Sequence, residues 1–380
     1  MTIEFAQSAR SSIGIEWELA LVDQKTGELA NAAGDVLRDL RRADGKDHPQ
    51  IVSELLQNTV ELVSGVHTRV SDAVTELSRL LDDLRTIAAA RNVVPIASGT
   101  HPFGQWFDQP VTDKERYHKL IERTQWWGRN MLIWGVHVHV GLDDVDKALP
   151  IVAGMLRFFP HLLALSASSP FWGGVDTGYA SNRSLMFQQL PTAGLPYEQI
   201  RTWSDYERYV DDELSTGIIE DQTEVRWDVR PSATWGTVEV RFCDSTSTAA
   251  ELAGIAALVH CLVDDLAQKL DDGESLAELP PWFVRENKWR AARYGLDATI
   301  IIDSEGRQRS VADDIAALIA RLEPVSHRLG CAAELSSLHG IIADGGSSAR
   351  QRKAAAESNG DLTVVVAQLA RELGQRPRNF

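Results

Sequence analysis

Cysteine is scarce, with three residues in 380, Cys243, Cys261 and Cys331, and no CxxC spacing among them. That rules out a disulfide framework and a cysteine-ligated zinc site, and it fits a reducing compartment. Positive charge is also short, at 38 Lys and Arg against 54 Asp and Glu, a formal net charge of −16. A chain so acidic repels phosphate backbones and carries no basic stripe, so nucleic-acid partners are excluded. No stretch reaches the ~18 uninterrupted apolar residues of a membrane span, and the start, MTIEFAQSARSSIGIEWE, has no apolar signal-peptide core. A cytoplasmic location without membrane insertion is expected. The usual catalytic signatures are missing too: GxGxxG, Walker A, GxSxG and HExxH all fail to occur. Doubly wound nucleotide folds, serine-nucleophile hydrolases and zinc proteases are therefore disfavoured.

What is present suffices for a large core, since 44% of the residues are hydrophobic. Neither a repeat nor a linker-length Pro/Gly block breaks the chain, so 1–380 reads as one catalytic domain. From Ser71, a plausible N-cap, Val74, Leu77, Leu81, Leu84 and Ile87 recur at helical spacing. Thr112 with Glu115 and Thr248 with Glu251 match the capping box. The second opens a helix whose apolar face is Leu252, Ile255, Val259, Leu262 and Leu266. Two further helices are expected over 310–329 and 361–373. Of 11 tryptophans, Trp126 and Trp127 read as packing anchors.

Three segments alternate at period two, which decides the side chains that share a face. In IGIEWELAL the residues Ile13, Ile15, Trp17, Leu19 and Leu21 oppose Gly14, Glu16, Glu18 and Ala20. In GVHVHVG the valines 136, 138 and 140 oppose His137 and His139, and in TVEVRF the residues Val238, Val240 and Phe242 oppose Glu239 and Arg241. An α+β fold with a curved antiparallel sheet accommodates these strands and helices. A merely solvated face would carry Thr, Lys, Ser and Gln as well as acids; these faces carry Glu, His and Arg beside small residues. Carboxylates gathered in one cavity repel one another unless a cation sits among them. Oxygen ligands with an imidazole suit magnesium or manganese, and magnesium bridges to substrate phosphates.

Glu54 and Glu61 lie seven residues apart, so a straight strand would set them on opposite faces; a turn or bulge must intervene for both to reach one site. Arg183 follows the Gly-rich stretch SASSPFWGGVDTG, where a guanidinium could fork onto a substrate carboxylate. His139 stays open between a ligand and a core histidine. Cys243, without a paired base, reads as a small packing residue.

Longer blocks carry a more specific likeness: GIEWE, SGTHPFGQW, GVHVHVGL, SASSPFWGGVDTGYASNRS, WDVRPSATWGTVEVRFCD and ENKWRAARYGLDA. Through them the chain resembles the glutamate-cysteine ligase type 2 family, in its carboxylate-amine ligase subfamily, over nearly its whole length. The resemblance implies a glutamine-synthetase-like fold, a curved antiparallel sheet whose polar concave face forms the active site with helices outside. It implies Glu16, Glu18, Glu54, Glu61, His137 and Glu239 as metal ligands, and Arg241 at the phosphates of ATP, acting with Glu239. On the substrate side it points to Arg183 and His139. The implied reaction uses ATP and Mg2+ or Mn2+ to join a carboxylate, glutamate, to an amine such as cysteine through an acyl phosphate. A homodimer is the implied assembly. Two other readings stay open, a metal-dependent phosphohydrolase and a catalytically idle ATP-binding homologue.

Overall fold

The computed structural model describes residues 2–42 and 44–375, so Met1, Ala43 and 376–380 of the expected single unit lie outside it. Its strands, in chain order, are β1 (Ile13–Asp23), β2 (Ile51–Ser53), β3 (Thr59–Val63), β4 (Val93–Ile96), β5 (Gly135–Gly141), β6 (Phe171–Trp172), β7 (Val175–Asp176), β8 (Val229–Ser232), β9 (Thr237–Asp244), β10 (Thr299–Ile301) and β11 (Gln308–Ser310). Seven of them form one sheet in the order β2-β3-β1-β5-β9-β8, with β4 pairing the far end of β1. Every pairing within it is antiparallel. The α+β reading with an antiparallel sheet is thus what the chain adopts.

Alternation works as expected on β1, β5 and the first part of β9. Trp17, Leu19, Leu21, Val136, Val138, Val140, Val238 and Val240 are sealed in the core. Each such side chain stabilises the fold by ~1.5–3 kcal/mol relative to an exposed one. Between Val136 and Val138 the β5–β9 register slips, so that Phe242 and Cys243 both enter the core. This bulge explains why Cys243, which shares the phase of Glu239 and Arg241 in the sequence, packs instead of facing them.

The helix Ala249–Asp271 lies against that core and begins with the expected capping box, Glu251 N–H to Thr248 Oγ1 at 3.1 Å and Thr248 N–H to Glu251 Oε2 at 3.2 Å. It is buried on more than the anticipated stripe, because helices Val70–Ala89, Val311–Leu329 and Ala332–Asp344 pack on it from outside. Alanines at 253, 256 and 257 let them come close. Helices over Val311–Leu329 and Leu362–Leu373 match the expected ranges.

Three local expectations fail. The helix expected from Ser71 starts at Val70, with Arg69 as an N-cap that makes no side-chain bond. Thr112 does not cap Glu115; its hydroxyl donates to the Glu54 carbonyl at 2.6 Å, and the helix Glu115–Arg129 begins uncapped by a side chain. Trp126 and Trp127 are 51% and 45% exposed, not packing anchors, because the chain kinks at Gln125 (φ 50°, ψ −121°) and turns them outward. The helical run Val145–Ser166 is long and apolar enough to cross a membrane by length and composition, but 72% of its apolar window is buried inside the fold.

Candidate active site

Register decides what meets on the other face of the sheet. Opposite one another across adjacent strands stand Glu18 and Glu61, Glu16 and His137, Gly14 and His139, His139 and Glu239, and Glu239 and Arg230. Two carboxylates directly opposite are destabilising unless something positive joins them. Glu54 reaches the same area from the turn after β2, the intervening turn that its spacing from Glu61 requires. Thr112 holds that turn, through the Glu54 carbonyl and through its own N–H to Leu55 O at 2.8 Å.

Glu239 is fully buried, yet both its oxygens are matched: Oε2 accepts from Arg230 Nε at 2.7 Å and Oε1 from Arg241 Nη1. Burial opposes its ionisation, but the two guanidinium groups and His139 outweigh burial and hold the carboxyl far below the usual range. Around Glu16, His137 Nδ1 lies 2.6 Å from Oε2 and His139 Nε2 lies 3.3 Å from Oε1. Burial opposes charge on Glu16 as well, but its hydrogen bond with His137 and the closeness of His139 prevail and hold its carboxyl well below the usual range. His137 is pushed down to about 4 by burial and then by Arg241. A neutral His137 donating Nδ1–H to Glu16 keeps its Nε2 lone pair free for a cation.

The remaining carboxylates lack such partners. Burial pushes Glu18 up to about 7, against the pull of Arg183 and with added repulsion from Glu54. Glu61 is driven well above the ordinary range by burial and by Glu54, Glu16 and Glu18 together. Glu54 is raised by burial too, in spite of Arg116. This face is short of positive charge.

A divalent cation fits the donors present. Ligand atoms of Glu16, Glu61 and His137, and separately of Glu16, His139 and Glu239, lie within 4.8 Å of one another, so Glu16 belongs to both groups. His139 Nε2 is buried with no hydrogen-bond partner, while its Nδ1 is fixed by Thr237 Oγ1 at 2.9 Å. An imidazole nitrogen set between two carboxylates, with no hydrogen bond of its own, can serve as a metal ligand. Carboxylates with one or two imidazoles suit magnesium or manganese.

Not every expected residue falls into place. Glu18 and Glu54 join neither group of three. Glu18 accepts the Gly135 N–H, and Glu54 accepts its neighbour Leu55 N–H at 3.1 Å and faces Tyr117 Oη at 3.5 Å. Arg183, expected to meet a substrate carboxylate, is 2% exposed. Its Nη2 donates to the Arg241 carbonyl at 3.1 Å, and its Nε and Nη1 are buried without partners. His139, expected beside the substrate, lies between Glu16 and Glu239.

Two arginines escaped the sequence reading. Arg230 sits in a strand that contains Pro231, a residue that argues against a strand unless it runs at an edge, as β8 does. Its signal was the alternation in VRPS, with Arg230 and Ser232 on one side. Arg116 gave no signal: it lies on a helix and joins the site through Tyr117 Oη, 2.5 Å from its Nη2.

Comparison with known proteins agrees with this architecture. The family model described as glutamate-cysteine ligase family 2 matches residues 12–368. A protein of Leifsonia xyli subsp. xyli named "Putative glutamate--cysteine ligase 2" is 56% identical over 371 residues, covering 98% of each chain. One of Paenarthrobacter aurescens, named "Putative glutamate--cysteine ligase 2-2", is 53% identical over 384 residues, covering 99% of this chain and 100% of its own. Among solved structures, a glutamate–cysteine ligase of Francisella tularensis in complex with AMP superposes with a TM-score of 0.68 at 15% identity, covering 98% of this chain and 94% of that one. The fold is that of the glutamine-synthetase-like ligases.

Proposed function

This chain belongs to the glutamate-cysteine ligase family 2, and from that premise we propose that it is an ATP-dependent carboxylate–amine ligase, with glutamate as acyl donor and cysteine as amine. The observation that carries the reading is the shortage of positive charge on the polar face, where Glu18, Glu54 and Glu61 form no direct ion pair among the described residues and the pull of Arg183, Arg116 and Arg241 does not offset burial and mutual repulsion. A buried cluster of this kind serves a ligand that brings positive charge.

Magnesium or manganese would be held by Glu16, Glu61 and His137, and by Glu16, His139 and Glu239. When bound, it supplies positive charge against the phosphate oxygens. The chain's own residues do the rest. Glu239 clamps Arg230 and Arg241 so that neither guanidinium swings, and their fixed positive charge faces the oxygens on which charge develops during phosphoryl transfer. A substrate carboxylate oxygen attacks the γ-phosphorus of ATP, and ADP leaves with the bonding electrons. An amine nitrogen then attacks the acyl phosphate carbon, inorganic phosphate departs with the electrons of the acyl C–O bond, and the nitrogen gives up a proton to solvent. The reaction needs no protein nucleophile.

The test is phosphate release from ATP and magnesium, with glutamate fixed and amines added one at a time. Release that needs both glutamate and an amine supports the ligase and identifies its acceptor. Release indifferent to the amine makes the protein a phosphohydrolase, and ATP binding without release makes it an idle homologue.

A further inference from the structure

Four of the sequence blocks that carry the likeness meet at a carboxylate outside both metal-capable groups. Asp244, at the end of β9, is fully buried. Its Oδ2 accepts the Ser168 N–H at 2.9 Å and the Ser169 hydroxyl at 2.6 Å, and its Oδ1 accepts the Ser181 hydroxyl at 2.8 Å. Ser169 and Ser181 bracket the hairpin of β6 and β7 and are themselves bridged. Asp244 therefore fastens both ends of that hairpin to the sheet.

The hairpin delivers Arg183. The Arg183 N–H donates to Ser169 Oγ at 3.2 Å, the same hydroxyl that Asp244 orients, and Ser184 N–H donates to Ser181 Oγ at 3.2 Å. From this fixed backbone the guanidinium lies against Gly135, so closely that a Cβ there would stand 2.1 Å from Nη2. It also takes hold of the Arg241 carbonyl. Gly135 in turn gives its N–H to Glu18. A second glycine makes room for the anchor itself, since a Cβ on Gly99 would stand 2.5 Å from the Asp244 carboxyl carbon. The motifs SGT, WGV, SASS, SNRS and RFCD are thus parts of one buried assembly that ends on two residues of the polar face, Glu18 and Arg241.

We propose that Asp244 is a positioning residue which, through Ser169, Ser181 and Arg183, sets the backbone of Arg241 and the place of Glu18. Arg183 acts from beneath the site as a support. The proposal rests on the ligase reading for its activity assay, and on ATP affinity independently of that reading.

A double-mutant cycle tests it. Asp244→Asn preserves volume but cannot accept three hydrogen bonds or balance a guanidinium, and Gly135→Ala pushes the guanidinium aside without touching any charge. Each is expected to lower kcat/KM for acceptor-dependent phosphate release at least about tenfold, and to weaken ATP binding measured by calorimetry, when Arg183 is present. In an Arg183→Met background, either change should cost less than about twofold, because the route is already cut. Equal losses in both backgrounds, or no loss in either, overturn the proposal. If Asp244→Asn fails to fold, Gly135→Ala alone decides the cycle. If the wild-type protein releases no phosphate with any acceptor, the ligase reading fails, and the same comparison, of both changes in both backgrounds, is made on ATP affinity.

Discussion

Trp17 and Glu18 are neighbours in the chain, and their surroundings could hardly differ more. Trp17, with Leu19, Val138 and Val240, is closed into a core in which apolar contacts on all sides support one another. Glu18, with Glu16, Glu61, His137 and Glu239, faces a cluster in which most groups oppose one another and only Glu239 is fully matched. Alternate residues of the same strands build both. The comparison teaches that one sheet face holds the fold while the other is held by it, at a cost that a bound cation would offset.

Breaking the core face gives the largest expected effect on stability. Leu19→Ala should lower unfolding free energy by ~2–5 kcal/mol in a denaturant titration while kcat of the folded protein stays within about twofold. A loss of activity without loss of stability would erase the distinction between the faces. On the polar face the sign reverses. Glu61→Gln removes one carboxylate from a cluster short of positive charge, so in the presence of a chelator it should raise stability by roughly 1 kcal/mol while abolishing turnover. A destabilised variant would mean that Glu61 has a partner in the fold after all.

A carboxylate elsewhere sharpens the contrast with a smaller effect. Glu76 accepts from His67, from Gln50 Nε2 at 2.8 Å and from Gly65 N–H at 2.7 Å. Burial opposes its ionisation, but these bonds win and hold its carboxyl at about 2. A folded-state value below the ordinary one means that its stabilisation is complete above about pH 4.5 and is lost as pH falls through about 2. Glu76→Gln should therefore flatten the decline of melting temperature over that window; a decline identical to wild type would show that Glu76 does not contribute to it.

Much of this was legible in the sequence for a physical reason. Period-two alternation puts Glu16, Glu18, His137, His139, Glu239 and Arg241 on one side with no knowledge of pairing. What alternation lacks is register and the third dimension. It could not tell that Glu18 would stand opposite Glu61 and outside the groups of three, nor that Glu16 would be shared by both. Cys243, read as a packing residue for want of a paired base, does pack, but the bulge that turns it away from the phase of Glu239 has no sequence mark here. Arg183 carried the clearest loop signal, but a loop says nothing about whether its side chain ends in solvent or, as it does, under Gly135. Arg116 comes from a helix remote in sequence, and only the contact of Tyr117 with Glu54 reveals it.

A divalent cation on the polar face would be held through Glu16, the residue common to both groups of ligand atoms. Calorimetric titration of the metal-free protein with Mn2+ tests it most directly, comparing wild type with Glu16→Gln. The account predicts saturable binding by wild type and at least about a tenfold loss of affinity in the variant. Equal binding by the two proteins would contradict it.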